Sequence, residues 1–118
     1  MKRTRLPNER PSVTHEFVLG EHTFSITCGF DPESQQFLEV FIHGENVGTT
    51  VRGVLDSIAI TISYNLQYGV PLSEIIRALV GSRFEPWGRT NNRVIPFASS
   101  PVDYIGQWLR LKYTNEVS

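Results

Sequence analysis

HTFSITCGFDPESQQFLEVFIHGENVGTT, residues 22–50, decides the fold. Its first nine residues alternate, with Phe24, Ile26 and Cys28 on one side and Thr23, Ser25 and Thr27 on the other. That is the period-two pattern of a half-buried strand. Asp31-Pro32-Glu33-Ser34 is a turn, and QFLEVFIHG alternates again, with Leu38, Val40 and Ile42 opposite Phe37, Glu39, Phe41 and His43. Two Phe on the second face predict that something covers it. At Gly48-Thr49-Thr50 the period changes: Val51, Leu55, Ile58, Ile62 and Leu66 recur at helical spacing up to Gly69. Thr49 or Thr50 is the expected cap, and Gly69 suits the left-handed position after the last turn. Ala59 and Ile60 make this helix apolar beyond one stripe, which predicts a central helix covered on several sides.

Working outward, Ser12–Leu19 reads as a first strand joined to the second by Gly20-Glu21-His22. Short turns between the three strands imply an antiparallel meander. Ahead of it, residues 1–11 are basic and end in Pro7 and Pro11, an extended arm. Its Arg3, Arg5 and Arg10, with Thr14 and His15 beyond them, either pack on a neighbouring subunit or touch a ligand. Downstream, Pro71 starts a shorter helix, PLSEIIRALV, burying Ile75, Ile76, Leu79 and Val80 and ending at Gly81. Ser100-Pro101-Val102-Asp103 opens the last helix with a serine cap and proline at the first helical position. Tyr104, Ile105, Trp108 and Leu109 form its packing stripe. The expected fold is α+β, a three-stranded antiparallel β-meander packed against three helices, with residues 12–118 as a single domain.

Composition narrows the function. The 118 residues carry a net charge of −1, against a general binder of polymeric nucleic acid. Cys28 is the only cysteine, so no internal disulfide forms and a reducing cytoplasm is expected. No apolar h-region follows the basic head and no apolar run reaches membrane-spanning length, so neither a secretory signal nor a membrane partner is expected. His15, His22, His43 and Cys28 lack metal-ligand spacing, no phosphate-binding glycine loop occurs, and the scattered acids form no catalytic pair. The reading is of a non-enzyme without cofactor or metal.

The stretch that carries chemistry is Arg83-Phe84-Glu85-Pro86-Trp87-Gly88-Arg89-Thr90-Asn91-Asn92-Arg93, inside an aperiodic segment from 82 to 99. Loops of that length are usually functional or disordered, and the two aromatics and three arginines of the quoted stretch argue against disorder. A nucleotide needs these groups: a plane for its base, amides for its edge, guanidinium for its phosphate. The alternative is that Phe84 and Trp87 plug the core while the arginines face water. Arg110 and Lys112 add positive charge near the site, or simply suit a helix C-terminus.

RLPNERPSVTHEF, FSITCGFD, EVFIHG, LQYGVPLSEI, SRFEPWGRTNN and SPVDYIGQWLRLKY together resemble the C-terminal, TSCPD-type domain of adenosylcobalamin-dependent ribonucleotide reductase, from Arg5 to Tyr113. The reductase's catalytic barrel, radical-site cysteine and paired C-terminal cysteines have no counterpart in the sequence, so the family's reduction chemistry is not expected of it. A stand-alone domain of this type also resembles the Thoeris anti-defence protein one family, phage proteins that sequester cyclic ADP-ribose-type or cyclic oligonucleotide immune signals. That resemblance implies sequestration in the host cytoplasm and a homo-oligomer built from dimers, up to a hexamer, with pockets between subunits. It assigns Phe84 to stacking on the purine, Asn92 to the base edge and Arg110 to a phosphate, with Arg83, Trp87 and Arg89 beside them. The reductase resemblance implies instead an accessory subunit or nucleotide-binding module of a split reductase.

Overall fold

The computed structural model describes residues 2–114; Met1 of the expected arm and residues 115–118 of the expected domain lie outside them. The fold is α+β, as the patterning predicts. Strands β1 (Ser12–Leu19), β2 (His22–Phe30) and β3 (Phe37–Gly44) form an antiparallel sheet in the order β1-β2-β3. The register puts Phe17 opposite Phe24, Ile26 opposite Ile42 and Cys28 opposite Val40, which aligns the apolar positions of all three strands on one face. Helices α1 (Thr49–Gln67), α2 (Leu72–Leu79) and α3 (Pro101–Tyr113) follow. Between α2 and α3 the aperiodic segment holds a two-residue ladder, β4 (Gly88–Arg89) against β5 (Phe97–Ala98), too short to leave a period in the sequence.

The helix ends show what the sequence specifies. Gly69 has φ +90°; its N–H donates to Leu66 O at 3.1 Å and that of Val70 to Asn65 O at 2.9 Å. This pair of bonds closes the last turn of α1 as a Schellman motif. The start of α1 differs from expectation. Thr49 and Thr50 are already helical, and the cap is Gly48, with no side-chain hydrogen bond. In α3, Ser100 Oγ accepts from Asp103 N at 2.9 Å with Pro101 in the first turn, as predicted.

The central helix is α3, not α1. Every residue from Pro101 to Gly106 is buried, with Trp108 and Leu109 beyond. Such burial requires a close approach: a Cβ at Gly106 would stand 3.0 Å from the backbone N of Val80 and 2.9 Å from Val80 Cγ2, so α2 fits against α3 only because Gly106 has no side chain. Helix α1 instead lies along the edge of β3. Ser63 Oγ accepts from Val40 N at 2.9 Å and donates to Val40 O at 3.2 Å, and Gln67 Nε2 donates to Leu38 O at 3.0 Å. Its far face remains exposed, and so does Phe41 on the outer face of the sheet.

The opposite sheet edge is covered by the loop. Gly20 N donates to Arg89 O at 2.8 Å, Asn91 N to Val18 O at 3.3 Å, and Val18 N to Asn91 Oδ1 at 2.9 Å. The N-terminal arm lies along its own chain. Thr4 N donates to Gln67 O at 2.9 Å, the Arg3 guanidinium sits 4.8 Å from the centre of the Tyr64 ring, and Arg10 forks onto both carboxylate oxygens of Glu39.

Candidate functional site

An open cleft of about 500 Å³ lies where the irregular segment leaves α2 and returns to α3, lined by Arg83, Phe84, Glu85, Trp87, Phe97 and Ser99. Its frame is rigid for local reasons. Phe84 N donates to Ser99 O at 3.2 Å and Ser99 Oγ to Ser82 O at 2.8 Å, which zips the two ends of the segment together. Asp103, itself buried, accepts from Gly81 N at 2.7 Å and Ser99 N at 2.9 Å. The β4–β5 ladder then sets Trp87 beside Phe97, ring centres 6.4 Å apart and planes inclined at 52°.

The walls have distinct jobs. Phe84 is half-buried and packs against the core, giving the cleft an apolar base. Trp87 and Phe97 are 60% and 52% exposed, two aromatic faces presented to water beside one guanidinium and one carboxylate. The cleft's volume falls in the range of small-molecule sites, roughly 300–1,000 Å³.

Of the six residues singled out in the sequence, Arg83, Phe84 and Trp87 come together here. The other three do not join them within one chain. Asn92 is turned to the loop itself: its Nδ2 donates to Tyr104 Oη at 2.9 Å and its Oδ1 accepts from Val94 N at 2.9 Å, so the amide holds the turn that seats the loop on α3. Arg110 lies on a separate cleft of about 20 Å³ with Val94, Ile95, Gln107 and Leu111, too small for a nucleotide. The side chain of Arg89 is not part of the cleft wall, and its carbonyl is used on Gly20. The sequence reading missed Phe97, Glu85 and Ser99. Phe97 sits in VIPFAS without periodicity, and only the ladder that pairs it with Arg89, and Ala98 with Gly88, brings it to Trp87.

Other reactive groups are put to structural use. His15 Nε2 is 2.9 Å from Tyr104 Oη, and its ring stacks on Trp108 at 4.6 Å. Cys28 is fully buried, and desolvation pushes its thiol up to about 11. A nucleophilic cysteine needs the reverse environment. Native protein at pH 8 is therefore expected to react negligibly with a chromogenic disulfide reagent and to release one thiol equivalent on unfolding. Stoichiometric labelling of the native chain would contradict this burial.

Comparisons with known proteins place the chain in a family. The TSCPD domain family model matches residues 1–113. The chain is 39% identical over 112 residues to the vitamin B12-dependent ribonucleotide reductase of Rhodopirellula baltica, 95% of this chain and 11% of that protein. It is 37% identical over 111 residues to the enzyme of that name from Streptomyces avermitilis and 34% over 113 residues to that of Bradyrhizobium diazoefficiens, covering 94% and 95% of this chain but 11% and 9% of those proteins. The chain thus spans about a tenth of the length of these relatives. No solved structure matches it. A family match along almost the whole described chain, on a meander with three helices, settles the lineage: the chain belongs to the TSCPD domain family.

Proposed function

We propose that this chain is a non-enzymatic nucleotide-binding module whose ligand enters the cleft at Trp87 and Phe97. The observation that carries the reading is the pair of solvent-facing rings, 6.4 Å apart, in a cleft that also holds Arg83. A base gains ~1–3 kcal/mol per aromatic contact, and a guanidinium forks onto a phosphate. Micromolar affinity requires about 8 kcal/mol in total, which two rings, one ion pair and the apolar base of Phe84 supply only together. The single Arg83 beside Glu85 suits a ligand of low phosphate charge better than a triphosphate.

In its finer form the reading is sequestration of a cyclic ADP-ribose-type or cyclic oligonucleotide immune signal, which counteracts anti-phage defence by binding without turnover. Asn92 and Arg110 then contribute only if a second subunit or a loop shift brings them to the cleft. The reductase relatives favour a second reading, a nucleotide-binding or accessory module of a split vitamin B12-dependent ribonucleotide reductase.

Calorimetric titration with cyclic ADP-ribose and with mononucleotides, followed by heat denaturation and mass analysis of the supernatant, separates these outcomes. Sequestration returns the ligand intact. Trp87→Ala is expected to weaken binding about 5- to 150-fold, the equivalent of one ring contact. Unchanged affinity in the Trp87→Ala, Phe97→Ala double variant removes this cleft as the site, and a converted ligand makes the chain an enzyme. Capture of a separately encoded reductase barrel supports the second reading.

A further inference from the structure

The start of the loop presents three different chemistries in a fixed order. From Ser82 to Trp87 burial alternates residue by residue: Ser82, Phe84 and Pro86 are half-buried, while Arg83, Glu85 and Trp87 are exposed. The exposed side therefore offers a guanidinium, a carboxylate and an indole in sequence, and all three line the cleft of about 500 Å³. The run is held from both ends. Phe84 packs against the core and its N–H donates to Ser99 O, and beyond Trp87 the carbonyl of Arg89 accepts from Gly20 N.

Glu85 is the member that a phosphate ligand alone does not explain. A carboxylate repels an anion brought into the same cleft, unless it accepts hydrogen bonds from another part of that ligand. Nor does it serve to neutralise Arg83. Among the described residues the one ion pair is Arg10 with Glu39, and neither Arg83 nor Glu85 has a side-chain hydrogen bond. Glu85 and Trp87 also border a second open cleft, of about 410 Å³, completed by Pro86 and by Gly20, Glu21 and His22 of the β1–β2 turn. Two carboxylates and no lysine or arginine line it. Phosphate is thus favoured at Arg83 and disfavoured beyond Glu85, which gives a bound ligand a direction.

We propose, resting on the nucleotide-binding reading above, that the ligand lies along this run with phosphate on Arg83, ribose on Glu85 and base on Trp87, and that Glu85 accepts hydrogen bonds from the ribose 2′- and 3′-hydroxyls. The order of the three side chains is the order of the three parts of a 5′-nucleotide. A vicinal diol offers two O–H donors to the two oxygens of one carboxylate, the same use that dinucleotide sites make of an acidic residue. Hydrogen bonds to a charged acceptor are roughly twice as strong as neutral ones. The sugar is the uncharged part of the ligand, so it tolerates the carboxylate that a phosphate does not. The site therefore selects ribonucleotides over 2′-deoxyribonucleotides, because the deoxy sugar leaves a carboxylate oxygen without its donor.

Calorimetric titration of the full chain with 5′-AMP, 2′-deoxy-5′-AMP and 5′-GMP tests the assignment. AMP is expected to bind about tenfold tighter than its 2′-deoxy form, as one hydrogen bond to a charged acceptor in an open site provides. Glu85→Gln brings the two to within about twofold by weakening AMP, and leaves the thermal midpoint unchanged, because the carboxylate is exposed and unpaired. Arg83→Gln weakens both nucleotides, preserves their ratio and leaves the binding of adenosine unaltered. Equal affinity for AMP and 2′-deoxy-AMP, or a ratio that survives Glu85→Gln, overturns the assignment. A preference for GMP that Glu85→Gln removes also overturns it, since the carboxylate then reads the N–H edge of guanine. Where Trp87→Ala still weakens every nucleotide, these results leave the nucleotide-binding reading standing; failure of all three nucleotides to bind overturns both.

Discussion

Asp103→Ala is expected to destabilise the chain by about 3 kcal/mol and to lower its melting temperature by roughly 10 °C. The carboxylate is only 5% exposed and makes three hydrogen bonds in three directions. It accepts from Gly81 N at 2.7 Å, Ser99 N at 2.9 Å and Gln107 Nε2 at 3.0 Å. Bonds to a charged acceptor contribute about 1.5–3 kcal/mol each, and an orphaned donor costs its desolvation. The Gln107 amide can turn to water, and the Gly81 amide lies near the surface, so the sum stays below three full bonds. Asp103→Asn is expected to lose less, since one acceptor oxygen survives while the new amide faces an N–H. The change also reaches the cleft. Ser99 is a cleft residue, and Asp103 ties it to the end of α2; Asp103→Ala is therefore expected to weaken the proposed nucleotide binding even under conditions where the chain stays folded. Equal melting temperatures for the two proteins would show that the junction of α2, loop and α3 is held elsewhere.

Most of the fold was legible because its elements announce themselves by period. The meander alternates cleanly in residues 24–28 and 38–42, and Gly69 marks the close of α1 by a positive φ that other residues avoid. The choice of α1 as the central helix went astray for an identifiable reason. Helix α1 is apolar beyond one stripe, and a single sequence cannot say whether the extra apolar positions meet the core or open out; Ile60 and Tyr64 belong to the open side. Helix α3 looks amphipathic, with Asp103, Gln107 and Arg110 on its other face, yet Asp103 is buried because its charge caps two other segments. The site was legible by composition but not by assembly. Arg83, Phe84 and Trp87 lie within five residues and meet in the cleft, whereas Phe97 arrives through a two-residue ladder that leaves no pattern. Asn92 illustrates the opposite limit: an amide beside aromatics and arginines looks like a ligand contact, but a loop with few regular backbone bonds uses such amides to bind itself.

The same economy explains how a three-stranded sheet avoids open edges. A bare edge invites pairing with another chain. Here β3 is capped by hydroxyl and amide side chains of α1, Ser63 and Gln67, and β1 is capped by the backbone of residues 89–91. The segment that builds the cleft thus also closes the sheet, so its position is set by the sheet's unmet hydrogen bonds. Cleft geometry and β1 edge protection are one structural fact.

Tyr104→Ala is expected to cost the most of any single change, about 4–5 kcal/mol, close to the whole stability of many domains of this size. The ring is fully buried and lies on Phe17 with centres 3.8 Å apart, and its hydroxyl joins β1 to the loop through His15 Nε2 and Asn92 Nδ2, each at 2.9 Å. Tyr104→Phe separates the two contributions. It keeps the ring and removes only the bridge, so a loss of about 1–2 kcal/mol is expected near pH 8. The pH dependence identifies the bridge. Asn92 donates to the hydroxyl oxygen through Nδ2, and a hydroxyl proton given in turn to His15 Nε2 needs that ring to be neutral. Burial, with Lys112 as a lesser contributor, already holds the His15 pKa below its usual value. A depressed histidine contributes stability that is complete above the unfolded pKa, about 6.5, and is lost as the pH falls through the folded value. Protonation of His15 also removes the acceptor that the Tyr104 hydroxyl uses. The difference in unfolding free energy between the wild-type chain and Tyr104→Phe should therefore be largest above pH 7 and shrink towards pH 5. A difference that is constant across that range would mean that the hydroxyl does not donate to His15, and that the loop is fastened to β1 by its backbone bonds alone.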